Sequence, residues 1–428
     1  MKRHGNKSFV SACLVLTGIL LLSVGGRQQD TPNVAIPDSS QRINAFTLRF
    51  LNQVAQHEPG NLILSPQSIY HGLAMSYVAS GAQTRNELAA AAGFPNDDKR
   101  LMSDLSELRR SMQSASRRAE VTLANSAWLD STYALFRKDY SETLEKAFGA
   151  SLYSVKFKDA TGASDRINAW VSEKTRGRIG ATVSPKDFVS RSNFGVIDEP
   201  ALVTVNAAYF KVDWGSRFEK SRTQERPFHP GTNRVVNALL MHQSSLLPYA
   251  EDETFQFLEL PYIDRQYSMY VLLPKQVLPA GRMVSLVQSN TITHLKERAY
   301  PQVVDVLFPR FEMRSHCSAK EVLSEMGVTA AFDKHKADFD RMIVKKWDAY
   351  RVYLSEVYHD AWVAVDERGT EAAAATTSIH YSIGCGMAVQ EMPVDFHADH
   401  PFLFFIVHNE SRSVLFAGWM VNPNEGAR

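Results

Sequence analysis

Apolar side chains recur with a helical period through the first half of the chain and with a strand-like period through the second. Ile43, Phe46, Phe50 and Val54 keep one face of a helix. A second helix is predicted to start near Ser65-Pro66, a capping hydroxyl followed by proline in the first turn. Thr84-Arg85-Asn86-Glu87 reads as a capping box that opens a third. Leu101, Leu105, Leu108 and Met112 mark a fourth, and Ile167, Trp170, Val171 and Lys174 another. Strands take over from Ala201 onward. Ala201 to Phe210, Thr254 to Leu260, Tyr267 to Leu273, Val303 to Phe311 and Val352 to Asp366 are rich in β-branched, aromatic and other large apolar residues. Phe402 to Val407 and Val414 to Val421 form a predicted hairpin. Helices early and strands late indicate an α+β fold with large sheets.

The chain has 428 residues, 44% of them apolar, enough to bury a large core. Its 47 basic and 46 acidic residues nearly cancel. A field with no dominant sign argues against nucleic acid or an anionic membrane as partner. Lys2, Arg3, His4 and Lys7 precede an apolar run from Phe9 to Val24, and Ser23-Val24-Gly25-Gly26 offers small residues to a signal peptidase. Residues 1–26 are therefore expected to be a cleaved export signal, with the mature chain extracellular, or periplasmic in a bacterium. The competing expectation is an uncleaved anchor, because the run is only slightly short of a bilayer span. Val10-Ser11-Ala12-Cys13 looks like a lipoprotein box but precedes most of the apolar run. Residues 27–41, polar and carrying Pro32 and Pro37, read as a leader, and 42–425 as one domain without linker or repeat. Signal removal leaves Cys317 and Cys385, with nothing to suggest that they pair, so stability is expected from the core.

One segment departs from this pattern. In Glu367-Arg368-Gly369-Thr370-Glu371-Ala372-Ala373-Ala374-Ala375-Thr376-Thr377-Ser378 large side chains vanish. Nothing here anchors a core, and Gly369 frees its backbone to pivot. The run is too short and mixed for a stable isolated helix. It reads either as a solvated linker or as a strand that slides into a packed sheet without displacing neighbours. In the second case Thr370, Ala372, Ala374, Thr376 and Ser378 share one face. New ladder bonds at roughly 1 kcal/mol each would sum to about 10 kcal/mol over the segment.

That run, followed by Ala398-Asp399-His400-Pro401-Phe402-Leu403-Phe404-Phe405, resembles the hinge and signature of the serpins. Asn61-Leu62-Ile63-Leu64-Ser65-Pro66-Gln67-Ser68-Ile69 resembles the family's early Ser-Pro motif. Val205-Asn206-Ala207-Ala208-Tyr209-Phe210-Lys211 with Trp214 resembles its central strand, and Phe416-Ala417-Gly418 with Asn422-Pro423 its carboxyl end. The likeness runs from about residue 40 to 425 in the family's order. It implies a serpin fold of about nine helices packed on three β-sheets, with an exposed reactive loop at about 367–393. It also implies a stoichiometric inhibitor: a target serine, or cysteine, endopeptidase cleaves the loop, is held as an acyl-enzyme in a covalent 1:1 complex with a monomeric inhibitor, and is trapped when the hinge inserts into the large sheet A.

The resemblance assigns Glu367, Gly369, Thr370, Glu371, Ala372, Ala373, Ala374, Ala375 and Thr376 to the hinge. It assigns Ser65, Ser68, Asn206 and His359 to the shutter beneath the point where the sheet opens, and Trp214, Arg310 and Glu367 to the breach where the loop enters, with an Arg310–Glu367 pair as one expectation. His359 as a satisfied core histidine, Ser65 as a helix cap and Trp214 as ordinary core are the plainer readings. Counting from Gly369 puts the scissile bond at Ile383-Gly384, which suggests an elastase-like target. Counting back from His400-Pro401 puts it near Ala388-Val389, and Met387 and Tyr381 are rivals. A non-inhibitory serpin-fold carrier is the alternative function, against which the small-residue hinge argues. The chain lacks His-Glu-x-x-His, Cys-x-x-Cys, Gly-x-x-x-x-Gly-Lys and Gly-x-Ser-x-Gly, so neither catalysis nor a cofactor or metal is expected. Cys385 with His380 or His397 is the one thinkable nucleophile–base pair, and a flexible loop holds such a pair poorly. Asn409-Glu410-Ser411 is a glycosylation sequon, meaningful in a eukaryotic secretory pathway.

Overall fold

The computed structural model describes residues 38–113, 119–188, 191–193, 196–198, 200–288, 290–347, 350–370 and 392–426. Among these residues the helices are α1 (Asp38–Val54), α2 (Pro66–Ala79), α3 (Ala82–Ala92), α4 (Asp98–Gln113), α5 (Lys138–Phe148), α6 (Ala160–Lys174), α7 (Ala280–Leu286), α8 (Thr291–Arg298) and α9 (Lys320–Glu325). The strands are β1 (Leu62–Leu64), β2 (Ala119–Asp130), β3 (Ala134–Phe136), β4 (Ser151–Val155), β5 (Arg191–Asn193), β6 (Val196–Asp198), β7 (Leu202–Asp213), β8 (Gln224–Gly231), β9 (Arg234–Glu251) and β10 (Phe255–Pro261). They continue with β11 (Tyr267–Pro274), β12 (Tyr300–Pro309), β13 (Phe311–Ser318), β14 (Ile343–Lys345), β15 (Leu354–Val365), β16 (Gly369–Thr370), β17 (Val394–His397), β18 (Phe402–His408) and β19 (Ser413–Met420).

Two large sheets carry the molecule. One has six strands in the order β13-β15-β16-β7-β2-β4, with β15 also paired directly to β7. The other has nine, β1-β19-β18-β11-β10-β9-β12-β17, with β8 beside β9. The expected second and third sheets meet in β9. Its early residues pair with β8, its middle with β12 and its end, Tyr249–Glu251, with β10. Eighteen residues of one strand thus make two lobes continuous. Small two-stranded ribbons, β3–β14 and β5–β6, complete the set.

The core follows from these layers. Phe210, Trp214, Met269, Phe308, Phe404 and Phe416 fill the space between the two sheets. The outer side of the six-stranded sheet is covered by α6, whose Ile167, Trp170 and Val171 meet Trp128, Tyr209 and Trp362. Helix α2 is buried on every side, as expected for a helix through the middle of a core. Its entry is capped as predicted: the Ser65 hydroxyl accepts the Ser68 N–H at 3.3 Å, with Pro66 in the first turn.

Three local expectations come out differently. Helix α3 starts at Ala82 after Gly81, so Thr84 lies inside it and there is no capping box. The Thr84 hydroxyl instead accepts the Asp338 N–H, and the Glu87 carboxylate accepts from the Thr329 and Ala330 amides. Long-range partners won over the local motif. Helix α1 begins at Asp38, inside the stretch read as leader, because Ser39 and Ser40 pack inward. Strand β2 was missed: Ala119–Asp130 is rich in Ala, Ser and Asn, and only its neighbours β7 and β4 make it a strand.

Gly418 shows how tightly the strands close. It pairs with Ile63 on one side and Phe404 on the other. A Cβ there would lie 2.1 Å from the Leu62 carbonyl oxygen and 3.0 Å from the Phe404 ring. Gly418→Ala is expected to cost about 1–3 kcal/mol, read as a lower urea midpoint with unchanged slope.

Candidate functional site

The six-stranded sheet contains a seam. β15 is antiparallel to β13, and β7 is antiparallel to β2. β15 and β7, however, run parallel to each other, from Leu354 opposite Leu202 up to Trp362 opposite Tyr209. A new strand of the right direction would be antiparallel to both. Above Trp362 the two strands part, and there β16 already sits between them. Thr370 pairs with Val365 on one side and Val212 on the other, and Gly369 pairs with Asp213.

The turn that delivers β16 is built by Asp366, whose carboxylate accepts the N–H groups of Arg368 (2.9 Å) and Gly369 (3.3 Å). Side-chain to backbone bonds of this type close tight turns. Gly369 is required by close approach: a Cβ would stand 2.3 Å from the Val212 carbonyl oxygen. Thr370 is wholly buried, its hydroxyl 3.0 Å from the Tyr262 hydroxyl. Trp214 stacks on Tyr262 with centroids 4.5 Å apart and donates its indole N–H to the Asp366 carbonyl at 2.9 Å. Its backbone N–H donates to the Arg368 carbonyl at 2.8 Å. The fully buried indole is thus both core and the floor of the seam's mouth.

The breach differs in one pair. Glu367 is buried and its carboxylate accepts from the Thr223 hydroxyl at 2.8 Å. Arg310 is exposed, its backbone N–H bonds the Leu239 carbonyl, and no ion pair joins it to Glu367. Arg310 is the one-residue link between β12 of the nine-stranded sheet and β13 of the six-stranded one. Glu371 to Thr376, Ile383, Gly384, Cys385 and His380 lie outside the described residues.

Lower on the seam, polar residues cross three strands in one row: Asn125 opposite Asn206, and Asn206 opposite His359. Asn125 Oδ1 accepts from Asn206 Nδ2 and from the Ser68 hydroxyl (3.3 Å). The Ser65 N–H donates to His359 Nε2 at 2.9 Å, and its hydroxyl donates to the Leu415 carbonyl at 2.7 Å. All four predicted shutter residues therefore meet, at the start of α2. Asn125 and Gly72 were missed. A Cβ on Gly72 would fall 2.6 Å from Asn206 Nδ2, so glycine leaves room for the amide. A lone Asn amid strand residues was the available signal for Asn125.

His359 is fully buried, and burial pushes it down to about 4, only partly offset by the Asp360 carboxylate. An amide can only donate, so Nε2 is unprotonated and the ring is neutral. A proton on Nε2 would face the Ser65 N–H head on. Partly buried Cys317, opposite His359 on β13, is likewise kept uncharged: burial, then the carboxylates of Asp360, Glu58 and Glu356, push its thiol up to about 12. The Asn409 side-chain nitrogen donates to the Arg265 carbonyl and the Ser268 hydroxyl, so the sequon amide ties its turn to the connection between β10 and β11.

The arrangement is a sheet with a parallel seam, a row of buried polar residues along it, and Gly369 and Thr370 paired to both strands at its mouth. Comparison with known proteins gives it a family. Residues 41–423 match Serpin (serine protease inhibitor), and the chain belongs to that family. It is 32% identical to a serpin-like protein of Thermococcus kodakarensis over 389 residues, covering 90% of this chain and 85% of that protein. It is also 32% identical to the leukocyte elastase inhibitor of Homo sapiens, covering 88% and 97%. Among solved structures, Serpin48 of the insect Tenebrio molitor, described as a highly specific serpin, superposes with a TM-score of 0.76 at 26% identity, over 90% of this chain and 98% of that one.

Acid should weaken the polar row. Between pH 6.5 and about 4 the unfolded chain takes up a proton on His359 that the folded chain refuses. The His359 contribution to stability is therefore present above pH 6.5 and is lost as pH drops through that window, on the order of 3 kcal/mol in all. Urea midpoints from pH 7 to 4 should show this fall, and His359→Asn should make it shallower; an unchanged slope contradicts the assignment.

Proposed function

We propose that this chain is a secreted suicide-substrate inhibitor of serine endopeptidases, acting once per molecule without turnover. The supporting observation is β16, two residues held between β15 and β7 by pairing to both. Extending that strand replaces one parallel ladder with two antiparallel ones, which pair slightly better per residue. Thr370 faces inward, onto Tyr262, so strand alternation would send Ala372, Ala374, Thr376 and Ser378 to the same buried face. Small side chains there need no cavity prepared for them. Cleavage frees the segment to enter, and the tethered acyl-enzyme is carried with it before water releases it.

The seam's resistance lies in the Trp362–Tyr209 stack (5.6 Å) and the shutter row beneath it. The bait bond we favour is Ile383-Gly384, which suits a pocket for aliphatic groups and hence an elastase-like partner. The human relative named leukocyte elastase inhibitor supports the same reading. Residues 1–26 would be removed on export, and the complex would be covalent and 1:1.

Mixing the chain with elastase-, trypsin- and chymotrypsin-like proteases should give, with the elastase-like enzyme, a band at the summed mass that survives SDS. Mass spectrometry of the released peptide should place the cut after Ile383. Clipping without a stable band in every mixture would refute inhibition. Thr370→Arg, which puts a charge on a fully buried face, should convert inhibitor into substrate, seen as loss of the stable band while cleavage continues.

A further inference from the structure

β17 is a four-residue edge strand held by a parallel ladder to β12, Val304–Leu307 against Val394–His397. On this edge Asp305 of β12 lies opposite Asp395 of β17, and His397 lies two residues further along. One ligand atom from each of Asp305, Asp395 and His397 falls within 4.8 Å of the others. His397 Nε2 stands 3.5 Å from Asp305 Oδ2 and 3.9 Å from Asp395 Oδ1, and this buried nitrogen makes no hydrogen bond. The other Asp305 oxygen is engaged by His242 Nε2 of β9 at 2.9 Å, which fixes the carboxylate and leaves Oδ2 turned to the cluster.

We propose that Asp305, Asp395 and His397 bind a divalent transition-metal cation of the zinc class, which clips β17 to the body of the protein. Bonds of about 2 Å to a four-coordinate zinc require ligand atoms roughly 3.3 Å apart, so the 3.5 Å pair is nearly in place and the exposed Asp395 need only rotate. One imidazole with two carboxylates suits zinc and disfavours calcium and magnesium, which seek oxygen alone. Water would complete the tetrahedron. His242 is then a positioning residue, orienting a ligand through its outer oxygen. No sequence motif announced the site, because its ligands come from strands about 90 residues apart and converge through sheet pairing.

The test uses the full chain and zinc chloride, with competition against a chromophoric chelator and hydrogen–deuterium exchange as readouts. We expect one zinc per chain, slower amide exchange at residues 394–397 when it is bound, and reversal by EDTA. Asp395→Asn, at a side chain 77% exposed and so harmless to folding, should weaken zinc at least about tenfold, as should His397→Gln. Absence of saturable binding, unchanged affinity in both variants, or exchange at 394–397 indifferent to saturating zinc would each overturn the proposal. Protease inhibition enters none of these readouts.

Discussion

The structure depends on one constraint: two long central strands, β7 and β15, are neighbours that run the same way. Each has an antiparallel partner on its outer side, so the seam between them is the one place in the sheet's middle where another strand improves the pairing. Chain order makes it so, since β7 and β15 are separated by most of the nine-stranded sheet and nothing short enough to be a hairpin joins them. The turn built on Asp366 then brings the chain back to that seam, with Gly369 and Thr370 at its mouth.

Under the proposed mechanism, what keeps the seam closed has to be strong enough to hold and weak enough to yield. A row of buried amides and an imidazole meets this need better than apolar side chains would. Hydrogen bonds contribute only when geometry is right, and a small displacement converts them into unpaired buried groups. Asn125, Asn206 and His359 lie across three strands, tied to the start of α2 by Ser65 and Ser68. The tie across the seam runs through α2: Ser65 holds His359 on β15, and Ser68 reaches Asn206 on β7 through Asn125. The same row explains the neutrality of His359, because a charged ring would have no place in it.

The loop has two anchors of different character. Its first residues are gripped deep in the core by Trp214 and Tyr262. Its last residues join a short edge strand at the surface. Such an edge is the weaker attachment, with backbone groups paired on one side only, and this is where the His–Asp cluster lies. A cation there would stiffen the loop's exit while leaving the hinge free to move.

Much of this was legible in the amino-acid sequence. Period and composition placed the helices of the first half and the strands of the second, since a side chain's face is set by local geometry alone. The loss of bulk after Asp366 suggested the hinge that the proposed mechanism uses, and motif resemblance named the family and grouped Ser65, Ser68, Asn206 and His359, which the structure brings together. Three things were decided only by tertiary structure. Glu367 took Thr223 rather than Arg310 as its partner because folding buries the Glu367 carboxylate beside the Thr223 hydroxyl and leaves Arg310, just past the buried end of β12, exposed. Thr84 and Glu87 left their apparent capping box because Asp338, Thr329 and Ala330 arrive from far along the chain. Asp305, Asp395 and His397 became one cluster through strand register. Local pattern reports what a residue's neighbours in sequence impose, whereas these outcomes depend on which distant backbone ends up 3 Å away, and only the folded sheet order determines that.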